Sequence, residues 1–249
     1  MSTTASGVLR YGPTAETVDR APWWMILHCG PDWFHLYSQW MTEHSEGRWA
    51  HVVDPARIFR GQDVDREPRL ALLRPVYEPP AWGPHISIMR GEKPLKNLDL
   101  WVLQRKIGDA QWGEGRAATR LKRMVETLAE LKAQCESASK KQIHSLKGQI
   151  RGLETKISKQ RRWRQGNKSI LQRLLGELQD RRGRMPSGLD SGMEIEFTYE
   201  PSPRTKSFLH HWWLDVRSEE LENIREFYGL PREPKVPFHL TLGIESGKG

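Results

Sequence analysis

Two tetrapeptides, His85-Ile86-Ser87-Ile88 and His239-Leu240-Thr241-Leu242, share one pattern: imidazole, apolar, hydroxyl, apolar. Each follows a proline within two residues, Pro84 for the first and Pro237 for the second. Side chains alternate faces along a β-strand, so His85 and Ser87 point one way while Ile86 and Ile88 enter a core, and the second tetrapeptide repeats the arrangement. Each strand then presents one imidazole and one hydroxyl about 6.5 Å apart on a single face. Such a tetrapeptide is expected by chance roughly 0.1 times in a chain of this composition. The other seven histidines, His28, His35, His44, His51, His144, His210 and His211, do not fit the pattern. Two occurrences in strand context therefore read as a matched pair.

Outward from the two motifs, the chain reads as mixed α/β. Residues 1–21 are rich in Ser, Thr, Gly and Ala and are expected to be poorly ordered. Trp23–His28 reads as a buried strand, Pro31-Asp32 opens a helix through Trp40, and Arg69–Tyr77, His85–Arg90 and Leu98–Gln104 read as strands. Strand grammar returns at Met193–Tyr199 and Phe208–Val216. Ser218 caps a helix to Tyr228 with acids in its first turn, where the helix dipole favours them, and Phe238–Ile244 is the last strand.

Between these portions the period changes. Leu121, Val125, Leu128, Leu131, Cys135 and Ala138, then Leu146, Ile150, Leu153 and Ile157, recur at spacings of three and four, the seam of a coiled coil. Gly166-Asn167 reads as a turn and Ser169 as the cap of a second helix carrying Ile170, Leu171, Leu174, Leu175 and Leu178, which predicts an antiparallel helical hairpin. Gly148 and Gly152 each weaken the long helix by about 1 kcal/mol and mark a place for a break.

The charge follows the same division. The 249 residues carry a formal +8, yet residues 105–184 hold 21 Lys/Arg against 8 Asp/Glu, and the remainder holds 18 against 23. A nucleic-acid reading drawn from net charge thus attaches to the helical segment at +13, while the rest stands at −5. The densest run is Lys156–Arg164. It reads as a phosphate-contacting arm or as a solvated coiled-coil face that pairs two copies of the chain.

Several classes are excluded. Mean hydropathy is −0.69, and Trp23–Leu27 falls far short of the roughly 20 apolar residues that span a bilayer. No secretory leader is read at the N-terminus, and Cys29 and Cys135 make neither a disulfide framework nor a zinc spacing, so a reducing cytoplasm (a host's, were the protein viral) is the expected compartment. There is no Gly-x-x-x-x-Gly-Lys-Ser/Thr loop, and Gly113-Glu114-Gly115 is too short for a dinucleotide fingerprint, so no cofactor is expected. His210-His211 is a poor metal site, because strand neighbours face opposite ways.

Paired His-apolar-Ser/Thr-apolar strands in two similar portions resemble the 2H phosphoesterase superfamily, the LigT-like phosphodiesterases. The resemblance implies an α+β fold of two βα lobes, residues 22–108 and 186–249, related by a pseudo-twofold axis about a central groove. Residues 109–185 would then be a helical insertion. It also implies a metal-independent phosphodiesterase in which His85 and His239 are the general acid and base, in an order the sequence leaves open. Ser87 and Thr241 would hold the phosphate oxygens. Tyr77 and Trp82 are candidates to stack on a base, and Arg204 and Lys206, in the loop after Tyr199, are candidates to contact substrate; Arg90, Lys93, Arg232 and Lys235 flank the motifs. The substrates implied are cyclic or short oligonucleotide signals, as cleaved by phage anti-CBASS relatives, or RNA ends bearing a 2′,3′-cyclic phosphate, which the basic segment favours. A third reading, from another class, is a non-catalytic protein that holds RNA or a partner through that segment.

Overall fold

The structure, a computed structural model, describes residues 2–12, 23–37, 76–78, 80, 83–186, 188–206 and 211–246. Among the described residues there are eight strands: β1 (Thr3–Tyr11), β2 (Met25–His28), β3 (Val76–Glu78), β4 (His85–Met89), β5 (Glu194–Tyr199), β6 (Arg204–Lys206), β7 (His211–Arg217) and β8 (His239–Ser246). Three long or capped helices accompany them, α1 (Leu98–Ser137), α2 (Lys140–Asp180) and α3 (Glu219–Phe227), and residues 32–37 are also helical. The chain divides into two compact units, Met1–Trp101 with Pro186–Gly249, and Val102–Met185.

In the first unit the strands run in the order β1-β2-β4-β8-β7-β5, and β5 returns to β1, so six antiparallel strands close on themselves. β3 pairs with the C-terminal half of β8, and β6 with the first half of β7. The two-lobed βα fold with a groove between lobes is thereby corrected: the unit is a closed six-stranded barrel. Each portion of the chain supplies only three barrel strands, β1, β2 and β4 or β5, β7 and β8. Left apart, each set would expose two unpaired edges, and the β1–β5 and β4–β8 pairings remove all four. Strand periodicity shows which residues face inward, but not which strand lies alongside.

A buried row crosses four of the strands. Leu27 pairs with Ile86, Ile86 with Leu240, and Leu240 with Leu214, and all four are fully buried. Each such side chain contributes about 1.5–3 kcal/mol by leaving water. Tyr11 and Tyr228 meet in the core, where the Tyr228 hydroxyl donates to that of Tyr11 (3.1 Å) and the Tyr11 hydroxyl donates to the Leu189 carbonyl (2.7 Å). Burial drives both phenols' pKa upward. Trp101 packs on Tyr11 and Trp23.

The segment expected to be disordered at the N-terminus instead supplies strand β1, between β2 and β5. Its small residues serve the packing. A Cβ on Gly7 would stand 2.7 Å from Leu27 Cγ and 3.1 Å from the His28 carbonyl, so only glycine allows β2 to lie this close.

In the second unit α1 and α2 form an antiparallel hairpin. Lys132 pairs with Glu154 (3.0 Å) and Arg164 with Glu114 (2.6 Å), and Asn167 donates to the Ala110 carbonyl (2.8 Å). The α2 seam, Ile143, Leu146, Ile150, Leu153, Ile157, Gln160, Arg164, Asn167, Leu171, Leu174 and Leu178, keeps the three-four spacing without interruption, and each position is at least half-buried. Four expectations are corrected here. Leu98–Gln104 begins α1 rather than forming a strand. The break falls at residues 138 and 139, where Ser139 and Gln142 make a capping box. Gly166-Asn167 lies inside α2 because the Asn167 amide finds a partner across the seam, and Gly148 and Gly152 interrupt nothing. Val125, read as a seam position, is exposed and Met124 takes its place; Ile170 and Leu175, read as apolar residues of the second helix, are exposed as well. No helix among the described residues is long and apolar enough to cross a membrane.

The place of β1 in the barrel is testable. Gly7→Ala should lower stability by about 2 kcal/mol, since the added methyl has no room. Thermal unfolding should move down by roughly 4–8 °C for a chain of this size, whereas a disordered N-terminus would leave the midpoint unchanged.

Candidate functional site

The β4–β8 register brings the two motifs together. His85 pairs with Thr241 and Ile86 with Leu240, so continuing the register sets Ser87 opposite His239. Paired residues on neighbouring antiparallel strands point to the same side, with Cβ atoms about 4.5–5.5 Å apart. The four polar side chains therefore occupy one square, each histidine facing the other strand's hydroxyl, with the Ile86–Leu240 pair on the opposite, buried face. All four line an open cavity of about 1780 Å³ in the barrel unit.

The histidines are held alike. His85 Nδ1 lies 2.8 Å from the Gly83 carbonyl, and His239 Nδ1 lies 2.9 Å from the Pro237 carbonyl, each two residues upstream. A carbonyl only accepts, so each Nδ1 carries a hydrogen, and Nε2 is the atom left for chemistry. Each imidazole also meets the edge or face of a tryptophan from the adjoining part of the barrel: Trp24 beside His85 at 5.7 Å, and Trp213 beside His239 at 6.2 Å. Trp24 donates its Nε1–H to the Ser87 hydroxyl (3.3 Å), and Trp213 donates to Asp215 Oδ1 (3.1 Å). Trp213 pairs with Thr241 across β7 and β8, and Asp215 with His239. Neither tryptophan stands in a motif, and composition alone points to packing for most tryptophans of the chain. The signal available was position, Trp24 at the entry to one barrel strand and Trp213 within another.

The backbone turns sharply before Trp24. Trp23 has φ 63°, the left-handed region that a bulky residue rarely enters, and the Gly12 amide donates to the Trp24 carbonyl (2.6 Å). The turn sends Trp23 onto Trp101 and Trp24 to the cavity wall.

The histidines differ in their surroundings. His85 is 7% exposed, and burial pushes its pKa down to about 4, against the Gly83 carbonyl, which favours the charged ring; His28, His239 and Arg90 add to the depression. His28 lies opposite His85 in the β2–β4 register. His239 is only half-buried.

Charged groups around the cavity are largely paired. Arg204 Nε meets Asp215 Oδ2 at 2.7 Å, and the same guanidinium lies 3.5 Å from Glu200. Arg225 is 1% exposed, with its Nε donating to the Pro231 carbonyl, Nη1 to the Ile88 carbonyl (both 2.8 Å), and two nitrogens to Glu92. It ties α3 to the end of β4, the strand that carries His85 and Ser87. The wall's carboxylates Glu92, Glu200 and Asp215 thus each meet a guanidinium, two cations shared among three acids, which reduces the repulsion they offer a bound anion. Arg90 lies 5.2 Å over Trp24 and lines the cavity, because β4 ends at Met89 and the alternation that would turn it away ends too. Lys235, exposed, is also on the wall.

Of the other sequence candidates, Arg204 lines the cavity, but it and Lys206 form strand β6 rather than part of a loop; Tyr199 at the end of β5 and Glu200, Pro201 and Ser202 between the two strands line it too. Lys206 lies in β6 opposite His211, and Tyr77 in β3 opposite Glu245. Trp82 lies outside the described residues. Lys93 stands 6.0 Å from the Trp23 ring, and Arg232 pairs with Glu222 and Glu226. Among the described residues no three His, Cys, Asp or Glu side chains come together as a metal-binding group. Compared with protein-family models, with curated proteins and with solved structures, the chain matches none.

Two measurements check the site. An imidazole whose folded pKa lies below its unfolded value of about 6.5 binds fewer protons in the native state, so stability falls as pH drops from about 6.5 to about 4. The loss attributable to His85 should approach about 3 kcal/mol by urea unfolding, and His85→Gln should lack it. Arg225→Met should cost about 3–5 kcal/mol, since Glu92, the buried Ile88 carbonyl and the Pro231 carbonyl lose their donor together; a loss under about 1 kcal/mol would show that Arg225 does not anchor β4.

Proposed function

We propose that the protein is a phosphodiesterase that cleaves a phosphodiester bond of a cyclic or short oligonucleotide by two-histidine acid–base catalysis, without a metal. The observation that carries this reading is the β4–β8 register, which sets two imidazoles and two hydroxyls on one cavity wall, each imidazole held through Nδ1 by a backbone carbonyl so that Nε2 is the nitrogen left for chemistry. The reading rests on the site and not on the fold, since a closed barrel can carry many chemistries.

The roles follow from the surroundings. His85, buried and neutral down to about pH 4, is the base: its Nε2 lone pair takes the proton from an attacking water or ribose 2′-hydroxyl as the new P–O bond forms. His239, more open to the cavity, is the acid: its Nε2–H passes to the leaving oxygen as the other P–O bond breaks. The proton taken by His85 and the one given up by His239 are then exchanged with solvent, returning both rings to their starting state. Ser87 and Thr241 donate to the non-bridging oxygens, where charge accumulates in the transition state. Trp24 holds the Ser87 hydroxyl and the His85 ring in place. The cavity, at about 1780 Å³, exceeds the roughly 300–1,000 Å³ typical of small-ligand pockets, which suits several linked nucleotides rather than one.

Turnover of cyclic dinucleotides, a 2′–5′ oligoadenylate and an RNA ending in a 2′,3′-cyclic phosphate, each in excess EDTA, tests the proposal. Wild type should cleave at least one of the first two, and His85→Ala and His239→Ala should each lower kcat by about 10²–10⁴-fold. Opening of the RNA end alone would replace the messenger reading with RNA-end processing. No turnover of any substrate would reject the enzyme in favour of a binding protein. The acid limb of kcat/KM for wild type should fall near pH 4, set by His85.

A further inference from the structure

The helical hairpin carries a second feature that the proposed reaction does not use. From residue 155 to residue 176, α2 contains no Asp or Glu, and it presents Lys156, Lys159, Arg161, Arg162, Lys168 and Arg173 to solvent. These 22 residues span about 33 Å of helix. Within this stretch Arg164 does meet a carboxylate across the seam: its Nε and Nη2 both reach Glu114 Oε1 at 2.6 Å. That pair and the Asn167–Ala110 bond fix which part of α1 lies alongside, and the neighbouring turns of α1 add Arg116 and Arg120, both exposed. Trp163, 52% exposed, stands one turn beyond Lys159 and two beyond Lys156 on the same side of the helix, with Arg162 and Arg173 next around it and Arg161 and Lys168 on the opposite flank of the seam. Its ring rests by one edge against Gly113: a Cβ there would lie 3.5 Å from Trp163 Cη2.

A coiled-coil position beside the seam that holds a half-exposed indole gains little from packing within the hairpin. A helical face of cations with no acid among them is also a poor surface for a second copy, because pairing two such faces opposes like charges. The same surface suits a flexible polyanion with aromatic bases. Phosphates follow the lysines and arginines and release their counterions, while an unpaired base stacks on the indole.

We infer that the α2 face centred on Trp163 binds single-stranded nucleic acid without sequence preference. This surface lies wholly in the hairpin unit and is independent of the reaction proposed above.

Fluorescence anisotropy of a labelled 20-nucleotide single-stranded RNA with the full chain tests it. The measurement uses a His85→Ala/His239→Ala background, so that no cleavage intervenes. Binding should weaken steeply with salt. Lys156→Glu/Lys159→Glu/Arg162→Glu should weaken it more than tenfold and flatten the slope of log K against log salt by about two, from about 0.7 for each phosphate that is no longer neutralised. Trp163→Ala, which keeps every charge, should weaken single-strand binding roughly tenfold while leaving binding to duplex RNA of the same length nearly unchanged. Circular dichroism and sedimentation of each variant establish that the hairpin is still folded. Absence of binding by the parent protein, equal affinity in the charge-reversed variant, or a dimer that those substitutions dissociate would each overturn the inference. The last result would assign the face to self-association. A wild-type protein that turns over no substrate yet binds the RNA would leave this inference standing.

Discussion

The pairing of β4 with β8 sets His85 against Thr241, and everything at the candidate site follows from that register. Side chains alternate with a period of two, so a slip of one residue would turn both histidines and both hydroxyls into the barrel and push Ile86 and Leu240 outward. The apolar row Leu27–Ile86–Leu240–Leu214 resists such a slip, since all four members would leave their places together. The polar geometry of one face is therefore held by hydrophobic burial on the other. The same antiparallel register makes the site nearly symmetric, because each strand contributes one ring and one hydroxyl running in opposite directions.

Symmetry in placement does not give symmetry in chemistry. His85 lies deep, opposite His28 and with Trp24 against its ring, and water is largely excluded from it. His239 faces the open cavity, with Trp213 at its side. Equivalent backbone positions thus differ in burial, and it is burial that lowers the proton affinity of His85. Arg225 binds the Ile88 carbonyl and Glu92 from behind, so that the end of β4 is fixed to α3.

The parts legible in the sequence were those encoded by short-range period. The two tetrapeptides announce their facing through alternation, and the hairpin announces its seam through three-four spacing. What was not legible depends on partners distant along the chain. Nothing in Thr3–Tyr11 says that its small residues are needed for β2 to approach, because the reason is Leu27 at 2.7 Å from an absent Cβ. Gly166-Asn167 has the composition of a turn, and only the Ala110 carbonyl across the seam makes it helical. Leu98–Gln104 is apolar enough for a strand, yet Trp101 is buried there on a helical turn against Tyr11 and Trp23. The expected two lobes failed for the same reason: a strand's facing is local information, whereas the closure of a barrel is not.

That closure has a consequence for how the protein comes into being. β1 must wait for β5, and β4 for β8, across more than 150 residues in each case, with the whole hairpin made in between. Contacts so distant in sequence pay their loop-closure entropy before they return any energy, and chains dominated by them fold slowly. The hairpin, whose contacts join neighbouring helices, can form while the barrel strands are still unpaired. On a ribosome the first three barrel strands would therefore spend most of the synthesis time with open edges, a state prone to pairing with other chains. The cationic hairpin, folded early and charged, would be the soluble part of that intermediate and would help keep it from aggregating until β8 arrives.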